Sequence, residues 1–139
     1  MSDLNEEIEL LRSLKKQNHD LKICFDKIVE ENVKSEVKEI IILSDKIYKE
    51  VAVNTEKIFI VKNYIRFYLS SVIKVVDRYI VFKEANICNK DAINLYEKIE
   101  EFLPKAKIGI KRIFESLYSN EILDLDSEIK LMLKELGMK

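Results

Sequence analysis

Glycine and proline are scarce in this chain: its 139 residues hold 2 Gly and 1 Pro. An all-β sandwich or barrel turns every few residues and needs more of both. Disordered linkers and collagen-like chains are also rich in them. There is no Trp, one His and two Cys. A zinc site built on two or three histidines is therefore excluded by count. Cys24 and Cys88 lie far apart and form no CxxC pair. No stretch of about 18 uncharged apolar residues exists to cross a bilayer. The first residues are acidic and lack the apolar core of a secretory signal. The expectation is a cytoplasmic protein with reduced thiols. With a net charge of −1, the whole chain is neither a polycation nor a polyanion, and no specific nucleic-acid partner is expected.

What is present is apolar periodicity. Apolar residues make up 47% of the chain and charged residues 35%. A chain of this length buries a sizeable core as one domain, 1–139, without disulfides or metal. In residues 1–32, Leu4, Ile8, Leu11, Leu14, Leu21, Phe25 and Ile28 follow a heptad seam, with Asn18 in one slot. This predicts a long first helix of about 30 residues, about 45 Å in length, whose first turns project or pair with another chain. The phase slips near Asn32. A second stripe runs through Val33, Val37, Ile40, Ser44, Ile47 and Val51. Asn54 is the expected N-cap of a third helix from Thr55 to about Ala85, with Glu56 at the positive end of its dipole. That helix would bury Ile58, Ile65, Tyr68, Leu69, Val72, Val76, Tyr79 and Ile80. Asn86–Asn89 reads as a connection, with Asn89 capping a fourth helix kinked at Pro104. Asp124 or Asp126 would cap a short last helix that Gly137 terminates. The fold class is all-α: an antiparallel bundle of about four to five helices.

Few residues suit catalysis. His19 has no visible partner and reads as a surface side chain. Cys24 and Cys88 have no neighbour that would lower a thiol pKa. Asp124 and Asp126 resemble the paired aspartates of haloacid-dehalogenase-type phosphatases and the opening of a calcium loop. The strand that precedes such a phosphatase pair is missing, and Ile129 stands where a calcium loop needs Gly. They read as first-turn acids. No catalytic residue, metal or cofactor is called for.

The charge is unevenly laid out. Residues 57–83 carry six basic and one acidic side chains, between acidic flanks. Lys62, Arg66, Lys74 and Arg78 lie on one i, i+4 row. Lys105, Lys107, Lys111 and Arg112 form a second basic cluster. These eight residues are candidates for binding an anion, an anionic membrane surface or an acidic partner. The alternative is neutralisation by the acidic helices, which would stabilise little.

The third helix also carries a resemblance. Lys62-Asn-Tyr-Ile-Arg-Phe-Tyr68-Leu69, then Lys74, then Tyr79, resembles the 5-bromo-4-chloroindolyl phosphate hydrolysis protein family, also called XpaC-like. That family has a basic residue, Tyr-Tyr-Leu-Pro-Thr, Lys-Leu-Leu and a Tyr at this spacing. Asn54-Thr-Glu-Lys57 is similar to its helix start, and Leu123 to Ile129 with Met132 to Gly137 to its C-terminal signature. The resemblance covers residues 37–138. Phe67 stands in place of the first Tyr, and Ser70 in place of Pro. The C-terminal signature is about one turn shorter, and a polar heptad replaces the family's apolar N-terminal segments. Tyr68, Leu69, Lys74 and Tyr79 are the family-motif positions. The resemblance implies association with toxic-anion resistance and a phosphate-ester hydrolysis phenotype, and supplies no catalytic residue. The leading expectation is a non-enzymatic interaction or scaffold module in a toxic-anion or envelope stress response, with a protein partner or a homo-oligomer. The alternative is a phosphate-ester hydrolase or anion-binding protein using the basic face of the third helix.

Overall fold

A computed structural model describes residues 2–138, and among them every element is helical. The elements are α1 (Ser2–Asp26), α2 (Glu31–Val53), a 3₁₀ segment (Thr55–Val61), a π segment (Tyr64–Tyr68), α3 (Leu69–Glu84), α4 (Lys90–Ser116) and α5 (Ser119–Glu135).

The second stripe is buried as its spacing predicts: Val33, Val37, Ile40, Ser44, Ile47 and Val51 all face the core. The first seam is buried at Leu14, Leu21 and Ile28, inside this chain's own bundle. Leu10 and Cys24 are buried where Leu11 and Phe25 were expected, and those two are half-buried. Leu4 and Ile8 are exposed. The chain breaks over residues 27–30, slightly before the predicted slip, so α1 is shorter than a 30-residue helix.

Side-chain pairs set the bundle register. Glu6 meets Lys62, Gln17 meets Ser70, and Glu30 meets Lys83. The nearly constant offset means that α1 runs parallel to the segment ending in α3. Asn32 meets Glu100, Glu36 meets Lys107, and Glu50 meets Tyr118, so α2 runs parallel to α4. Consecutive helices α1/α2 and α3/α4 are joined by short connections and run antiparallel. α1 packs on α2 and α3, and α2 packs most extensively on α4. α1 and α4 thus take opposite corners. α3 and α4 touch over a shorter stretch, which leaves the seam between them open.

Three expectations about helix ends need correction. Asn54 does not cap a backbone amide; its side chain donates to Glu50 Oε2 at 2.9 Å. Beyond Asn54 the backbone is 3₁₀ and then π, rather than one continuous α-helix. Asp124 and Asp126 lie inside α5, which starts at Ser119, and Asp126 pairs with Lys130. Asn89 does cap α4, accepting from the Ala92 amide at 2.9 Å. Asn86, at φ 56°, closes α3, with Ile87 N–H donating to the Phe82 carbonyl. Gly137, at φ 74°, closes α5 in the same way: Met138 N–H reaches the Leu133 carbonyl. α4 passes through Pro104 unbroken.

Candidate functional site

The irregular backbone at residues 55–68 shapes the open seam. In the π segment the Leu69 N–H turns to the Tyr64 carbonyl, five residues back. The Ile65 carbonyl thereby loses its usual helical donor. Gln17 on α1 supplies the replacement, its amide donating to Ile65 O at 2.7 Å. Ser70 Oγ in turn donates to Gln17 Oε1 at 2.9 Å. Ser70 is thereby linked to the bulge through Gln17. π-bulges of this kind concentrate at functional sites.

Beneath the bulge lies a buried polar chain. Tyr64 O–H donates to Ser44 Oγ at 2.7 Å. Ser44 O–H donates to Asn18 Oδ1, and the Asn18 amide donates to the Ser44 carbonyl at 3.1 Å. Asn18 is thus a partner of α2 within the chain. Burial pushes the Tyr64 hydroxyl pKa well above the usual tyrosine range.

The groove itself lies between the 3₁₀ and π segments with the first turn of α3 on one side and α4 on the other, and is called the α3–α4 groove below. Its volume is about 490 Å³. Ile60, Tyr64, Phe67 and Tyr68 form one wall, and Phe102 and Ile113 the other. Asn63, Ser71 and Ser116 are its polar edge, and no carboxylate among the described residues lines it. Phe67 is 66% exposed and Ile60 50%. Tyr68 reaches across to α4, its hydroxyl 3.5 Å from the Ala106 carbonyl. Gly109 admits it: a Cβ there would sit 2.7 Å from the Tyr68 hydroxyl.

The structure sorts the eight basic candidates into different settings. Lys62 and Arg66 face α1 and share Glu6, at 2.9 and 3.7 Å. The Lys62 hydrogen bond lowers the Glu6 carboxyl pKa. Lys107 faces α2, 2.6 Å from Glu39, and 3.1 Å from Glu36 without hydrogen-bond alignment. Those contacts, Glu39 first, raise the Lys107 pKa. Lys111 stands on the same side, beside Ile42 and Leu43. Lys74, Lys105 and Arg112 are exposed and have no ion pair among the described residues. Helical spacing puts Lys74 two turns beyond Phe67, Lys105 one turn beyond Phe102, and Arg112 one turn before Ser116. None of the three lines the groove, and helical spacing alone sets them on its side of α3 and α4. Arg78 lies over the Phe82 ring, 5.2 Å from its centroid. The two basic clusters therefore do not merge into one anion site: half of their members are directed to acidic neighbours or to the far side of α4.

Of the family-motif positions, Leu69 and Tyr79 are buried, Tyr68 is half-buried in the groove, and Lys74 is exposed. The Tyr79 ring meets Tyr96 edge-on at 5.7 Å. Its hydroxyl has no aligned hydrogen-bond partner among the described residues, although burial and the neighbouring Glu30 both push its pKa up. His19 is exposed, Cys24 is buried and Cys88 is exposed. Burial raises the Cys24 thiol pKa. No group of three or more His, Cys, Asp or Glu among the described residues is placed to hold a metal ion. No described helix is long and apolar enough to cross a membrane.

Helical periodicity did not reveal the groove, because it does not name the neighbour that Tyr64 and Phe67 face. Tyr64 is buried and Phe67 is exposed, yet both line the groove. One signal was available: an interior glycine in a helical pattern usually marks a close approach, and Gly109 does.

Comparisons with curated proteins and with solved structures return no match. The model of the 5-bromo-4-chloroindolyl phosphate hydrolysis protein family matches residues 7–132. The match takes in α1, which the resemblance over 37–138 had left out, and runs through the groove into α5; the chain belongs to the 5-bromo-4-chloroindolyl phosphate hydrolysis protein family.

Proposed function

We propose that this protein is a non-enzymatic helical docking module, acting in the cytoplasm in a toxic-anion or envelope stress response. The observation that carries the reading is the α3–α4 groove. It is apolar and open to solvent, and the exposed Lys74, Lys105 and Arg112 stand near its lining residues by helical spacing. An exposed apolar patch with a charged rim is the usual form of a protein-binding surface. The groove fits an amphipathic helix, whose apolar face would cover Phe67 and Ile113 and whose acidic flanks would meet the basic rim.

The alternative is phosphate-ester hydrolysis, which the family's description names. It would need carboxylates and basic groups to converge in one cleft. Here Asp124 and Asp126 stand exposed on α5, and Asp126 is paired with Lys130.

The two readings separate in one experiment. Purified protein is assayed on a chromogenic phosphate ester, with and without Mg²⁺, beside an Asp124→Asn, Asp126→Asn variant. The docking reading expects no turnover that the variant removes. Turnover that disappears in the variant would overturn it.

A further inference from the structure

α5 is a helix without a partner. None of its residues is buried. Yet Ile122, Leu125, Ile129, Met132 and Leu136 recur at steps of three and four, and each is 50–64% exposed. These positions form one apolar stripe along the whole helix. Exposed contiguous stripes of this kind mark interaction surfaces. The flanks of the stripe are acidic: residues 119–135 carry Glu121, Asp124, Asp126, Glu128 and Glu135 against Lys130 and Lys134.

The path of the chain keeps α5 away from its own groove. Only Leu117 and Tyr118 separate α4 from α5. Leu117 has φ −64°, ψ −20°, and Tyr118 has φ −108°, ψ −1°. Both are right-handed helical values, in a two-residue turn between the helices. The turn is pinned: Tyr118 O–H donates to Glu50 at 3.0 Å, and Lys57 bridges Glu50 and Glu121 at 2.6 and 2.5 Å. Past that anchor, α5 makes no extended contact with the other helices among the described residues.

The same chain thus presents an acidic apolar helix and a basic-rimmed apolar groove that its own backbone path does not bring together. We propose that α5 of one copy docks in the α3–α4 groove of a second copy, and reciprocally, giving a twofold-symmetric dimer by helix exchange. This rests on the docking reading of the groove and names its occupant. The charges choose this pairing over α5 against α5, which would bring two helices of net −3 together. They also oppose docking on an anionic bilayer, which favours basic amphipathic helices.

The test is sedimentation of the full chain with two single variants. Phe67→Glu spoils the groove, and Ile129→Glu spoils the stripe; both side chains are more than half exposed, so neither variant opens the core. The native chain is expected to sediment as a dimer of the 16.4 kDa protomer. Each variant alone is expected to weaken dimerisation roughly tenfold or more, as loss of a central apolar anchor does. An equimolar mixture should regain dimers, because one groove and one stripe remain intact between the two proteins. A Phe67→Glu protein that stays dimeric while Ile129→Glu does not would mean α5–α5 pairing, and would overturn the proposal. A monomeric native chain would overturn it too. In that case an apolar dye that fluoresces with the native chain and not with Phe67→Glu would leave the groove standing as a docking site for another protein. A dye response unaffected by Phe67→Glu would remove both readings.

Discussion

Replacing Ser44 with Ala removes one hydroxyl from the centre of the bundle and leaves two polar groups stranded. Tyr64 loses the acceptor for its buried O–H, and Asn18 Oδ1 loses its donor. Both residues are almost wholly buried, so water does not replace the lost partners. Each unsatisfied buried group costs about 1–3 kcal/mol. The expected loss is roughly 2–6 kcal/mol, a large part of the ~5–15 kcal/mol that holds a typical domain. For a chain of this size it corresponds to a fall in Tm of roughly 7–20 °C. Urea unfolding tracked by circular dichroism gives the free energy directly. The sharper outcome is a change of sign. Tyr64→Phe in the native background deletes a good hydrogen bond and is expected to destabilise by about 1 kcal/mol. In the Ser44→Ala background the same change deletes a stranded hydroxyl and is expected to stabilise by about 1–3 kcal/mol. A strictly additive cycle, or a Ser44→Ala cost below about 0.5 kcal/mol, would refute the reasoning.

Gln17→Leu removes the donor that serves the Ile65 carbonyl, so amide exchange over residues 64–70 should accelerate, while exchange in α2 stays unchanged. In a Tyr68→Phe protein, Gly109→Ala should gain up to about 1 kcal/mol from helix propensity. With the Tyr68 hydroxyl 2.7 Å from the new Cβ, that gain should vanish in the native background, and thermal unfolding of the four proteins decides it. The carboxyl of Glu50 is held below its ordinary value of 4.5, first by the Lys57 hydrogen bond, and that of Glu6 by Lys62. A depressed carboxyl stabilises the fold above its unfolded pKa and loses that contribution as pH falls through its folded pKa. Urea midpoints should therefore decline as pH drops below about 4.5, less steeply in Glu50→Gln, and equal slopes would count against the Glu50 assignment.

The sequence by itself determined the helical class and most helix faces, though not the 3₁₀ and π backbone of residues 55–68. The stripe from Val33 to Val51 is buried residue for residue, because a 3.6-residue period leaves an apolar face nowhere to go but inward. Asn89 and Gly137 marked helix ends, since capping depends on one side chain or one backbone conformation at a fixed position. The family was legible in the order of Tyr68, Leu69, Lys74 and Tyr79. What the tertiary structure alone decided are the relations between segments. Whether Asn18 sits in an intermolecular seam or against Ser44 depends on which helix lies opposite, and periodicity does not name the neighbour. Gln17, 48 residues away, takes up the Ile65 carbonyl that the π-bulge leaves free; no local propensity of residues 64–68 announces that partner. Within that segment Tyr64 is buried and Phe67 is exposed, and both line the groove. The basic candidates divided for the same reason: a charge row reads alike in sequence whether it meets Glu6, Glu39 or water, and only the packing of α1 and α2 against α3 and α4 tells these apart.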